Sequence, residues 1–166
     1  MFKINFKKIL LNSIIIIVIF LIDRFSKIYI LKIAELEKTV DIYLNSYLNL
    51  YLIWNKGIAF GLFSIDESFV YNVISTIIAL ITIVILGMII KSSGFKRYSL
   101  IFIFGGSIGN LFDRIYYSAV PDFIDFHINN FHWFIFNIAD IFITLGVICL
   151  IYAEIFFKNE EHEEHI

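Results

Sequence analysis

The sequence predicts an all-α membrane protein of four transmembrane helices carrying a small β platform, or cradle, on its outer face. Three observations predict it. Hydrophobic residues make up 60% of the 166-residue chain and charged residues only 17%, whereas soluble domains are about 45–50% apolar. Four apolar stretches approach the roughly 20 residues that a helix needs to cross a bilayer. Two further segments are rich in Tyr, Phe, Trp and Ile and partly alternate polar with apolar residues, the pattern of short strands. No break in composition divides the chain, so residues 1–166 read as one integral membrane domain. A formal net charge of -2 offers no basic field for nucleic acid. The single cysteine, Cys149, lies in an apolar run, cannot form an internal disulfide and has no metal-ligand pattern beside it.

The first span is expected over about 9–30. Its lysine-bearing lead and isoleucine run imitate a signal peptide, but no small-residue cleavage site follows, so it reads as a retained helix. Asp23, Ser26 and Lys27 share one face of that helix. An intramembrane acid there either pairs locally with Lys27 or serves a site in the bundle. The outer segment from 32 to 67 contains TVDIYLNSYLNLYLIWNKGIAFGLF, which favours strands. At its end Asn55 can both donate and accept through its amide, and Gly57 and Gly61 permit turns or close backbone approach. The same residues also read as an ordinary loop entering the second span, over about 69–90.

The third span, over about 98–116, contains GGSIGNLFDR. Gly105 and Gly109 form a small-xxx-small pair that lets helices pack closely. Asn110, Asp113 and Arg114 fall on one helical face. They read either as a buried structural network or, for Arg114, as a planar fork for a substrate carbonyl or carboxylate. The next outer segment, FIDFHI-NN-FHWFIF, has two strand-like runs around Asn129-Asn130, which can turn a hairpin. The fourth span is expected over about 133–157, with Asn137 and Asp140 one helical turn apart on a shared face. No basic residue lies within a turn of Asp140, so it needs a distant partner or a proton. The tail 158–166 is expected to be flexible, with His162 and His165 solvated rather than ligating metal.

An even number of spans puts both termini on one side. Lys3, Lys7, Lys8, Lys91, Lys96, Arg97 and Lys158 mark that side as cytoplasmic, against Lys32, Lys38 and Lys56 on the other. The acids near the fourth span pose a separate question. If residues 122–126 are extended, Asp122 and Asp125 point to opposite faces. Only one of them then faces the bundle, and spacing does not choose between them.

The motifs choose. The chain resembles the lipoprotein signal peptidases, or signal peptidase II, over nearly its whole length. The resemblance rests on Asp23 with Ser26 and Lys27, then Asn55-x-Gly57-x-Ala59-Phe60. It continues through Gly109-Asn110-x-x-Asp113-Arg114, Val120-x-Asp122-Phe123 and Phe136-Asn137-x-Ala139-Asp140. It implies an aspartic endopeptidase of the bacterial cytoplasmic (inner) membrane with its active site near the outer face. Such an enzyme removes the signal peptide of diacylglyceryl-modified prolipoproteins, cutting just before the lipid-bearing cysteine, and globomycin-type cyclic peptides inhibit it. The implied catalytic pair is Asp122 and Asp140. Asp23, Asn55, Gly57, Asn110, Arg114 and Asn137 bind substrate or support the pair, Asp113 is structural, and neither metal nor cofactor is implied. Pro121 departs from the family's usual branched apolar residue. Two other readings compete with this one. A small proton-coupled carrier explains the buried acids but gives no role to Asn55 or the outer strands. A noncatalytic assembly partner packing through Gly105 and Gly109 predicts that the acids tolerate Asn.

Overall fold

The computed structural model describes residues 6–57, 67–129 and 131–156. Ala59, Phe60, Gly61, Asn130 and the tail histidines lie outside them. Four helices and four strands follow in the order α1 (Phe6–Glu37), β1 (Asp41–Asn45), β2 (Leu48–Asn55), α2 (Glu67–Lys91), α3 (Gly94–Tyr117), β3 (Val120–Ile128), β4 (Phe131–Phe136) and α4 (Ile138–Phe156). The strands form one antiparallel sheet in the order β1-β2-β3-β4.

Three helices, α1, α2 and α4, are long and apolar enough to cross a membrane. Their outward faces expose large apolar side chains, among them Ile17, Leu80, Ile83 and Ile148. Such a surface suits lipid rather than water. α3 differs because it packs against α1, α2 and α4. Ser99, Ser107, Gly105, Gly106 and Gly109 are buried along it. Its polar and small residues meet other helices rather than lipid, which is why its composition falls below that of its neighbours.

Close approach is built into α3. A Cβ on Gly109 would stand 2.6 Å from Asp23 Oδ2, and one on Gly106 would stand 2.4 Å from the Ala139 carbonyl oxygen. The pair expected at Gly105 and Gly109 therefore faces α1, since Gly105 abuts Ile19. Gly106 seats the first turn of α4. One apolar core joins Ile85 and Ile89 of α2 to Leu100, Ile101, Ile103 and Phe104 of α3. A second joins Ile30 of α1 to Val40 and Phe123 and holds the sheet against the end of α1.

The outer segments form strands as expected, and Asn129 takes the left-handed backbone conformation (φ 53°) at the β3–β4 turn. Helix boundaries move. α1 runs on to Glu37, so Lys32 is helical rather than part of the outer segment. Residues 133–136, assigned above to the fourth span, belong to β4 instead. Aromatic and branched residues there pair across to β3, and the helix starts only at Ile138. Pro121 lies where β3 has β2 beside it but not β4, whose pairing begins at Ile124. This is a strand position that tolerates a missing donor.

A bulge in β2 between Leu50 and Ile53 decides which way the strands' side chains face. It shifts the register by one residue, so Asn49 stands opposite Asp125 while Ile53 stands opposite Asp122. A one-residue shift moves side chains to the other face. Asn55, two residues past Ile53, therefore shares a face with Asp122, and Asn49 shares the other with Asp125.

Gly106→Ala places a methyl against the α4 backbone, and such overpacking costs about 1–3 kcal/mol. Thermal unfolding of the purified protein in detergent is expected to show a clear loss of stability for Gly106→Ala. Gly87→Ala, where nothing lies within 4 Å of the added Cβ, is expected to show none.

Candidate active site

Four elements converge at the sheet end of the bundle. Asn137 follows β4 and precedes α4, where it acts as the N-cap. Its Oδ1 accepts from the Asp140 N–H at 3.1 Å, and its own N–H donates to Asp140 Oδ2 at 3.1 Å. This is the reciprocal capping box, which satisfies orphan donors at a helix start. Asp140 is thus the third residue of α4 rather than a mid-span acid. The turn that expectation assigned to a shared helical face is a cap. The positive end of the α4 dipole also favours a carboxylate there.

Asn137 has a second partner. Its Nδ2 donates to Asp122 Oδ1 at 2.6 Å, and the residue is fully buried. Asn55 Nδ2 donates to Asp122 Oδ2 at 2.9 Å. Asp122 is thereby held by two amides, one from β2 and one from the start of α4. Burial pushes its carboxyl up from the ordinary 3.8 to about 6. The amides of Asn55 and Asn137 oppose that rise, the neighbouring Asp140 adds to it, and the positive charge of Lys27 opposes it. Asp125 points the other way, with His132 Nδ1 2.8 Å from its Oδ2. The alternation expected of an extended 122–126 is realised.

Behind the two acids lies an ionic network. The buried Lys27 ammonium reaches Asp23 Oδ2 at 2.8 Å, Asp113 Oδ2 at 2.6 Å and Asn110 Oδ1 at 3.0 Å. Asp23 Oδ1 accepts from the Ala139 N–H at 3.0 Å, in the first turn of α4. Asn110 Nδ2 donates to Asp140 Oδ1 at 2.7 Å. Asp113 also pairs with Arg24 at 2.6 Å, whose guanidinium lies over the Phe112 ring at 4.9 Å. Asp113 therefore pairs with cations of α1 and not with its neighbour Arg114. Ser26 stays outside the network, its hydroxyl donating to the Asp23 carbonyl. Sequence reasoning had Lys27 only as a local partner of Asp23 and missed Arg24. The available signal was three charged residues within five positions of an apolar span, more than one local pair explains.

Arg114 turns toward a cavity of about 340 Å³ that reaches from Asn55, Asp122 and Asp140 down between α2, α3 and α4 to Ile81, Ile85 and Ile103. The residue is buried, and its Nε and Nη1 have no hydrogen-bond partner among the described residues. Gly57 (φ 81°) lies under the guanidinium, where a Cβ would come within 3.1 Å of it. The Gly57 N–H donates to Asn55 Oδ1 at 2.6 Å and so fixes which way the Asn55 amide points. Tyr71 of α2 donates its hydroxyl to the Arg114 carbonyl at 2.6 Å. The site thus offers two carboxyls, a guanidinium edge unpartnered among the described residues and an apolar slot leading away between helices.

The chain is similar to known proteins over most of its length. The family model described as signal peptidase (SPase) II matches residues 15–156. The lipoprotein signal peptidase of Pelagibacter ubique (strain HTCC1062) is 58% identical over 162 residues, 98% of either chain. That of Anaplasma phagocytophilum (strain HZ) is 38% identical over 151 residues, covering 90% of this chain and 94% of its own. A bacterial membrane enzyme solved by the in meso method at 2.3 Å superposes with a TM-score of 0.65 at 27% identity, over 87% of each chain.

Removing one partner of a buried ion pair leaves uncompensated charge and costs about 3–5 kcal/mol. Lys27→Met strips Asp23 and Asp113 of their shared cation. It is expected to reduce the yield of folded protein in detergent sharply, as read by size-exclusion chromatography and thermal unfolding. Lys38→Met, at an exposed position between α1 and β1, is expected to leave both unchanged.

Proposed function

Because the chain belongs to the signal peptidase (SPase) II family, we propose that Asp122 and Asp140 are the catalytic pair of an aspartic endopeptidase acting on prolipoproteins. The family cleaves signal peptides from prolipoproteins. The observation that carries the aspartic reading is Asn137, which hydrogen-bonds both carboxyls at once. Two acids held by one residue share a site, and like charges in contact keep one proton between them. With that proton, Asp122, Asp140 and the cation of Arg114 sum to zero charge, as Asp23, Asp113, Arg24 and Lys27 do beside them.

In this reading the ionised member takes a proton from water as the water oxygen attacks the scissile carbonyl carbon. The protonated member donates to the carbonyl oxygen. The tetrahedral intermediate then collapses, the C–N bond breaks and the leaving nitrogen takes a proton from the pair. Arg114, with its unpartnered donors, and Asn55 hold the substrate's backbone carbonyls. Asp23 and Asn110 hold α1, α3 and α4 in register behind Asp140, and Asp113 is structural. The apolar reach of the cavity between α2 and α4 accepts the diacylglyceryl chain or the signal helix from the lipid, and globomycin-type peptides compete there.

The wider arrangement follows from the same reading. Residues 1–166 act as one membrane domain, with α3 as the fourth span. Its 24 residues extend about 36 Å, enough for a hydrocarbon core of about 30 Å. Lys7 and Lys8 in the first turn of α1, Lys91 at the end of α2 and Lys96 and Arg97 in the first turn of α3 favour cytoplasmic termini in the inner membrane. The sheet and the acid pair then lie near the outer face.

Asp122→Asn and Asp140→Asn are each expected to abolish cleavage of a diacylglyceryl-modified prolipoprotein while the protein stays folded in detergent. Near-normal processing by either variant would sink the pair. The pH dependence has a definite sign. Asp122 holds its proton to about 6, and its ionisation above that pH removes the proposed proton donor. In the free enzyme kcat/KM is expected to fall on an alkaline limb near 6. Asn55→Ala removes an interaction that favours the ionised form, so it is expected to move the limb to higher pH; an unmoved limb counts against Asp122 as its origin.

A further inference from the structure

On the sheet face opposite Asp122, three side chains come together that the peptidase chemistry does not use. Asp125 and His127 are two residues apart on β3, and both are buried. A bulge between Phe126 and His127 shifts the β3–β4 register by one residue and sets His127 directly opposite His132. In the register of the preceding pairs His127 would have met Trp133. Ligand atoms, one each from Asp125, His127 and His132, lie within 4.8 Å of one another. Asp125 Oδ2 is 2.8 Å from His132 Nδ1 and 3.6 Å from His127 Nδ1.

Two buried polar atoms here lack hydrogen-bond partners among the described residues, His127 Nδ1 and Asn49 Oδ1. Asn49 stands across β2 from Asp125. An orphaned imidazole nitrogen aimed at a buried carboxylate is costly unless something completes the set. A cavity of about 390 Å³ opens over Asp125 and His132, walled also by Asp41, Asn49 and Tyr51. Asp41 adds negative charge to that wall.

We propose that Asp125, His127 and His132 bind a divalent transition metal of the zinc class, with Asn49 Oδ1 or water in the fourth position. Two imidazoles and a carboxylate are the donor set that such ions prefer over Mg²⁺ or Ca²⁺. Bonds of about 2.0–2.1 Å at tetrahedral angles separate ligand atoms by about 3.3 Å, and 2.8 and 3.6 Å bracket that value. His132, 57% exposed on its side chain, has room to turn, and its position gives the ion an entry path. Without metal, His132 donates to Asp125; the ion takes the place of that proton. The metal closes β3 to β4 across the Asn129 turn. It acts as a staple for the strand that carries Asp122, on the face away from the catalytic pair.

The test uses the full-length, untagged protein in detergent with His162→Ala and His165→Ala, so that the tail supplies no imidazole. Isothermal titration with Zn²⁺ is expected to show one saturable equivalent. His132→Ala, Asp125→Asn and His127→Ala are each expected to weaken it by at least about tenfold. Hydrogen–deuterium exchange of residues 125–135 is expected to slow on Zn²⁺ addition and to be unchanged by it in His132→Ala. That exposed substitution keeps the test valid if the two buried ones fail to fold. Absence of saturable binding in the tail variant, or binding that His132→Ala leaves intact, overturns the proposal.

Discussion

The buried ammonium of Lys27 is the constraint on which the rest of the site depends. It donates hydrogen bonds to Asp23 on its own helix and to Asn110 on α3, and it forms an ion pair with Asp113 of α3. An ammonium out of water is tolerated only when paired and fully hydrogen-bonded. Those three contacts therefore fix the axial register and rotation of α1 against α3. Two of the acceptors pass the constraint on. Asp23 holds the Ala139 N–H, and Asn110 holds the Asp140 carboxylate. A charge on the first helix thus positions an acid on the last. The glycines make it geometrically possible, because Gly109 and Gly106 leave the space that Asp23 and the start of α4 occupy.

A second frame comes from the sheet. Asp122 reaches the site on β3, held by Asn55 of β2 and by Asn137. The helical and sheet frames meet at Asn137, which caps α4 and binds Asp122 in the same geometry. One residue sets the relation between two carboxyls that are 18 positions apart in the chain. The sheet in turn is anchored to the end of α1 through Phe123, Val40 and Ile30. The acid pair is therefore set by preformed packing, which suits electrostatic catalysis, where groups fixed in advance need little rearrangement.

Much of this was legible in the residues. Composition and apolar run length predicted the helices, and the aromatic, partly alternating segments predicted the strands. Extended periodicity separated Asp122 from Asp125. The lack of a local cation beside Asp140 pointed to a distant partner, which is Asn110. Other features were not legible because they depend on contacts between elements. Trp133–Phe136 reads both as part of a strand-like run and as the start of the fourth span, and pairing with β3 decides for the strand. Arg24 went unremarked in the first span because its partner, Asp113, lies on another helix. Asp113 and Arg114 share a face by spacing, yet one joins the ionic network and the other faces the cavity.

The sequence by itself pointed to the acids and amides proposed to carry the chemistry and to most of the helices and strands, because apolar period, capping residues and charge placement act over one or two turns of chain. Only the tertiary structure decided which of those residues meet. Two one-residue bulges show the reason. The first, in β2, sends Asn55 to Asp122 and Asn49 to Asp125. The second, in β4 at Trp133, sets His127 opposite His132. A strand's side chains alternate, so a single-residue shift in pairing reverses the faces. That shift belongs to the pairing of two strands and is written in neither alone.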